Sequence, residues 1–175
     1  MTISTRFIFS FFTLLTMLSG NCQKNDTLLS SYKKLNAVNK VNYYEKLNLN
    51  QKRAYRDFFY LNFPKLSSDK AHTSSSKNQI RYKFSLAEVY NIKGDELKSI
   101  EVLKEIQNNK EYKLSETEQM NVLVGLQKSY LNLNLYSNVF KINSEITALR
   151  KKGAYFPLWS YNIKSNLYAQ LHIYD

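Results

Sequence analysis

Cysteine, proline and glycine are scarce here: one, two and four residues in a chain of 175. The lone Cys22 excludes an intramolecular disulfide and any multi-cysteine metal site. So few glycines and prolines argue against a turn-dense β-sandwich and for long, uninterrupted elements. With glycine only at Gly20, Gly94, Gly125 and Gly153, no glycine-rich phosphate loop can be built. Each of the two histidines has one carboxylate three residues away, Asp69 for His72 and Asp175 for His172. Neither pair has a third ligand in view, so no metal site is expected. No nucleophile elbow or zincin motif occurs. Glu101 with Glu105, and Glu116 with Glu118, read as solvated helix faces. The sequence therefore points to no catalytic residue, no cofactor and no enzyme.

Acid is also in deficit. The chain carries 25 Lys and Arg against 14 Asp and Glu, a formal charge of +11. A basic balance permits attraction to nucleic acid, anionic lipid or acidic polymers. The cations are dispersed, however. The only runs are Lys33-Lys34, Lys52-Arg53 and Arg150-Lys151-Lys152. The last sits where a helix should end, and cations stabilise that end. Nucleic acid is therefore not the expected partner.

What the chain does have begins with its leader. Arg6 supplies a positive start, and "FIFSFFTLLTML" (Phe7 to Leu18) follows as a largely apolar run. The run is too short to span a bilayer as a helix but fits the apolar part of a signal peptide over 1–21. Ser19, Gly20 and Asn21 then precede Cys22. The segment resembles a bacterial lipoprotein leader, in which the peptidase cuts before a Cys that receives a lipid. Gln23-Lys24-Asn25-Asp26 resembles the short surface-export signal of lipoproteins in the Bacteroidetes lineage. The resemblance implies that Cys22 is lipidated and that 22–27 is a tether. It places the protein in the cell envelope, at the outer membrane or in the periplasm. More than one acyl chain supplies stable anchoring.

From residue 28 onward the apolar spacing is helical. "EQMNVLVGLQKSYLNLN" sets Leu123, Leu126, Tyr130 and Leu133 at three- and four-residue steps. Ser115 to Glu118 in front is a capping-box pattern. Asp95 and Glu96 open a stripe of Leu97, Ile100, Leu103 and Ile106. The spacing predicts helices over 28–47, 51–63, 78–92, 95–108, 116–133, 136–152 and 157–173. The Ser- and Lys-rich stretch 64–78 reads as a mobile loop.

A repeat runs through these elements. Tyr44, Tyr90, Tyr130 and Tyr168 each lie late in a first helix, and Asn48, Gly94 and Asn134 follow the first three by four residues. Around Tyr90 stand Leu86, Ala87, the Gly94-Asp95 turn and Ser99; around Tyr130 stand Leu126, Asn134 and Val139. The pattern resembles tetratricopeptide repeats, stacked helix–turn–helix pairs. The resemblance implies an all-α solenoid over 28–175, about three pairs and an incomplete last repeat. Its repeat core would include Tyr90, Gly94, Ser99, Leu126, Tyr130 and Tyr168.

Such a fold needs no reaction chemistry. The expected role is an exported, lipid-anchored scaffold that binds a protein or peptide on its curved surface. Asn121, Lys128 and Asn132, polar positions on a first helix, are the candidate partner contacts. The helix over 157–173, with Trp159 and Leu167, ends without its pairing helix and could self-associate. That broken repeat also suits a second reading, the sensory amino-terminal portion of a longer histidine kinase or transcriptional regulator.

Overall fold

The computed structural model describes residues 27–68 and 75–153. Among these residues every regular element is helical. Residues 27–33 form α1. There follow α2 (Ala37–Lys46), α3 (Leu49–Ala54), α4 (Arg56–Asn62) and a 3-10 turn (Pro64–Ser68). The longer helices are α5 (Ser76–Lys93), α6 (Glu96–Gln107), α7 (Glu116–Asn132) and α8 (Tyr136–Lys151).

Polar side chains set most of the starts, because the first backbone N–H groups of a helix lack partners within it. Asn36, Ser75 and Asp95 each accept from the N–H three residues on. Full capping boxes open α3 (Asn48 with Gln51) and α7 (Ser115 with Glu118). Two of the ends carry a left-handed glycine. Gly94 (φ 87°) closes α5 and Gly153 (φ 90°) follows α8, the conformation that glycine adopts without a Cβ penalty.

The four longer helices match the sequence expectation to within two residues at each end. The amino-terminal part does not. The helix expected over 28–47 is two, because the chain turns at 34–35 and Asn36 starts α2 afresh. The helix expected over 51–63 is also two, divided at Tyr55 (φ −107°, ψ 21°). The expected loop 64–78 is structured at both ends. Leu66 is buried in the core, Tyr82 donates from its hydroxyl to the Phe63 and Pro64 carbonyls at 3.3 Å, and Ser75 caps α5.

Packing follows chain order. Helix α5 packs on α6, α6 on α7 and α7 on α8, while α2, α3 and α4 lie against α5. Ile106, Met120, Leu126, Val139 and Ile146 are fully buried between the later helices. Gly125 lets α7 approach α6 closely: a Cβ there would meet Leu103 Cδ1 at 3.0 Å. The amino-terminal part is held by rings. Tyr44 lies 5.0 Å from both Phe59 and Phe63, and Tyr32 contacts Phe58 and Phe59 at 5.5 and 5.4 Å. All but the tilted Tyr44–Phe63 pair meet edge-on, and such edge-on pairs add about 0.5–1.5 kcal/mol each beyond their burial.

Candidate functional site

Two hairpin turns are close copies. After Tyr90, Asp95 N–H donates to the Tyr90 carbonyl at 2.9 Å and Gly94 N–H to the Asn91 carbonyl at 3.1 Å. After Tyr130, Leu135 N–H donates to the Tyr130 carbonyl at 2.9 Å and Asn134 N–H to the Leu131 carbonyl at 3.0 Å. Asn134 takes φ 58°, a left-handed position that its short polar side chain tolerates. The turn after Tyr44 departs from this pattern. Asn48 keeps an extended φ of −74° and acts as the cap of α3.

Polar contacts then tie each hairpin to its neighbour at a recurring sequence distance. Lys52 holds both Glu88 oxygens at 3.0 and 2.8 Å, 36 residues away. Arg81 bonds Asn42 at 2.8 Å and also pairs with Glu45. Lys93 meets Asp57 at 2.5 Å across 36 residues, and the Tyr60 hydroxyl donates to Asp95 at 2.8 Å across 35. Lys128 donates to Asn91 at 2.6 Å across 37 residues, and Asn132 to Glu96 at 2.6 Å across 36. Glu96 also accepts from Asn91 at 2.7 Å, so this buried carboxylate is fully engaged.

The charges in the ladder are tuned by their neighbours. Lys98 donates to the Tyr60 hydroxyl and to Asp95, each at 2.9 Å, and these two partners hold its pKa well above the ordinary value. Partial burial opposes ionisation of Asp95. The bonds from Lys98 and Tyr60 outweigh it, so its carboxyl sits below the usual range. Asp57 is lowered as well, chiefly by its bond from Lys93. Burial raises the Tyr44 phenol strongly, and the nearby Glu88 carboxylate raises it further. The Tyr44 hydroxyl itself is buried without a hydrogen-bond partner. Lys52 Nζ also lies 4.6 Å from the Tyr44 ring centre, and Lys98 Nζ lies 5.6 Å from that of Tyr90. In both copies the lysine follows the tyrosine by eight residues.

The partner contacts expected from the sequence share one face of α7, and all three are exposed. The structure engages two of them internally: Lys128 with Asn91 and Asn132 with Glu96. Arg81 and Glu88 stand 40 residues before Asn121 and Lys128 and likewise face the preceding hairpin. Of the expected repeat core, Ser99, Leu126 and Tyr130 are buried and Tyr90 is half-buried. Ser99 donates to the Ala87 carbonyl at 3.0 Å and closes the hairpin from within. Cys22, Tyr168, His72, His172, Trp159 and the helix over 157–173 lie outside the described residues.

A cleft of about 430 Å³ opens at the other end of the hairpins, where Gln107, Lys113, Gln119, Glu145 and Lys152 meet. Several of its polar groups serve the loop itself. Asn109 accepts from the N–H groups of Glu111 and Tyr112, and Gln119 donates to the Leu114 carbonyl at 3.0 Å. Its walls come from two stretches, 107–123 and 145–152, and no local pattern in either marks a cleft.

Among the described residues no cluster of three or more His, Cys, Asp or Glu could hold a metal, and no helix is long and apolar enough to cross a membrane. No family model, no curated protein and no solved structure matches the chain.

Proposed function

We propose that the chain is an exported scaffold built on a tetratricopeptide-like stack of helical hairpins, anchored to the bacterial outer membrane through a lipid on Cys22. Its task in this reading is to hold a protein or peptide partner, without reaction chemistry of its own. The observation that carries the reading is the duplication of the turn. The same two backbone bonds recur at Gly94 and Asn134, 40 residues apart, each after a tyrosine at the same place. Side-chain bonds spaced by 35 to 39 residues support stacking of like units. A stack of this kind offers a preformed surface, and a preformed surface lowers the ordering cost of binding. Asn121, exposed on α7, is the candidate contact whose side chain is turned to solvent.

The test uses the full chain expressed in a bacterium that sorts lipoproteins to its surface. The intact mass of envelope-extracted protein should equal residues 22–175 plus acyl chains, and Cys22→Ala should abolish the added mass. A photoreactive residue at Asn121 should give one discrete protein adduct on intact cells. An unprocessed mass of all 175 residues sinks the anchor, and the absence of any adduct sinks the binding surface.

A further inference from the structure

The cleft beside α8 has an apolar floor. Val122 and Leu123 are buried there, and Leu114 and Leu149 are half-buried. Its rim is polar, and much of that polarity is unused within the fold. Among the described residues Lys113, Glu145 and Lys152 make no ion pair and no side-chain hydrogen bond. The Gln107 amide is likewise unengaged. Gln119 gives its amide nitrogen to the Leu114 carbonyl and keeps its own side-chain oxygen.

The two signs of charge are held apart. Glu145, Ala148, Leu149 and Lys152 follow one another at steps of three and four residues, one stripe of α8 and its end. Glu145 and Lys152 are thus about 10 Å apart along the helix axis, at ~1.5 Å per residue, with Ala148 and Leu149 between them. Lys113 comes to the same cleft from the loop before α7. The cleft therefore offers an anion at one place, cations at another, and apolar surface between. Its volume of about 430 Å³ is that of a small-ligand site.

A lone anion would suit the lysines but would leave Glu145 facing like charge. A free amino acid carries both of its charges on one carbon and cannot reach two sites about 10 Å apart. An extended peptide of three residues carries an ammonium and a carboxylate at its two ends, about 10 Å apart. We propose that the cleft is a binding site for a short free peptide, about three residues long, with an apolar side chain. The peptide's ammonium meets Glu145, and its carboxylate meets Lys152 and Lys113. The apolar side chain lies on Val122, Leu123 and Leu149, and the amides of Gln107 and Gln119 serve the peptide groups between. The inference goes beyond the partner-binding surface, since Asn121 is not among the walls of the cleft and either site can exist without the other.

The experiment is isothermal titration calorimetry of the full chain in detergent with alanyl-leucyl-alanine, free at both ends. Saturable binding of one peptide per chain is expected. Acetylating the peptide's amine, or amidating its carboxylate, should each weaken binding about threefold to fivefold, the size of a partly exposed ion pair. Glu145→Gln should weaken the free peptide by the same factor and make acetylation cost nothing further. Lys113→Gln with Lys152→Gln should do the same for amidation. The blocked peptides act on the unaltered protein, so a variant that misfolds leaves the test standing. Equal affinity of the doubly blocked and the free peptide would overturn the proposal. So would tighter binding of leucine or of octanoate, or an acetylation cost as large in Glu145→Gln as in the parent. Absence of saturable heat at millimolar peptide would overturn it as well.

Discussion

Asn132 hands its side-chain amide to Glu96 at 2.6 Å, reaching from the end of the first helix of one hairpin to the start of the second helix of the hairpin before it. Asn91 completes the arrangement at 2.7 Å, so one buried carboxylate joins three helices. Removing an acceptor in such a place leaves buried donors unmet, at a cost of about 1–3 kcal/mol. Glu96→Ala should lower unfolding free energy by that order, and Glu96→Gln by less. Denaturant titration by circular dichroism decides it. Equal stability of Glu96→Ala and the parent would show that water replaces the carboxylate without loss.

Gly125 and Leu103 form a coupled pair. Alanine in a helix interior is worth ~1 kcal/mol over glycine. At Gly125 that gain meets Leu103 Cδ1 at 3.0 Å, and Leu103 is itself buried. Gly125→Ala should therefore fail to raise the melting temperature of the parent but should raise that of a Leu103→Ala variant. A double-mutant cycle measures the coupling. Strict additivity would mean that Leu103 moves aside freely.

Acid should weaken the stack through its ladder. Asp95, Asp57 and Glu118 all have carboxyls lowered in the folded state. For Glu118 partial burial works the other way, and the bonds from Ser115 and Tyr112 outweigh it. A lowered folded value means stability that is fully present above the unfolded value, 3.8 for Asp, and is lost as pH falls through the folded one. Melting temperature should thus decline below about pH 4. Asp95→Asn should flatten that decline by lowering the neutral plateau toward the acid limb, where the two proteins converge. An unchanged acid limb would remove Asp95 from this account.

Alkali should act on the tyrosines with the opposite sign. Burial raises the Tyr82 phenol to about 12 from its ordinary 10.0, and raises Tyr32 and Tyr44 further. Stability from these groups is complete below 10.0 and disappears as pH climbs through the folded values. Phenolate absorbance should rise in two stages, exposed rings first and these three with unfolding. A single smooth titration centred on the ordinary value would contradict their burial.

The later helices were legible because each of their signals was local. Ser115, Asp95 and Gly94 mark starts and stops, and the stripes of α6 and α7 repeat at three and four residues. The amino-terminal breaks were not legible in the same way. Asn36 and Asn48 are caps, but asparagine is frequent in this chain and carries little information by itself. Tyr55 divides α3 from α4 in a place where Tyr32 wedges against Phe58 and Phe59, a contact made across more than 25 residues. Leu66 looked like loop composition until the core enclosed it. Burial of Glu96 depended on Asn132 arriving from another hairpin. A search for complementary polar pairs at the repeat interval would have found it, and would have shown Lys128 and Asn132 to be engaged within the stack.

Each of α5, α6 and α7 packs on the helix that comes next in the chain. Contacts of such short reach close small loops and form quickly. Helix α6 ends at Gln107 and α8 at Lys151. At ordinary translation speeds of about 5–20 residues per second, the first hairpin of this series has on the order of several seconds alone before the second is complete. A nascent chain with that property can close its hairpins early. Secretory channels accept extended chains, so an exported version must be captured by the export machinery within that interval.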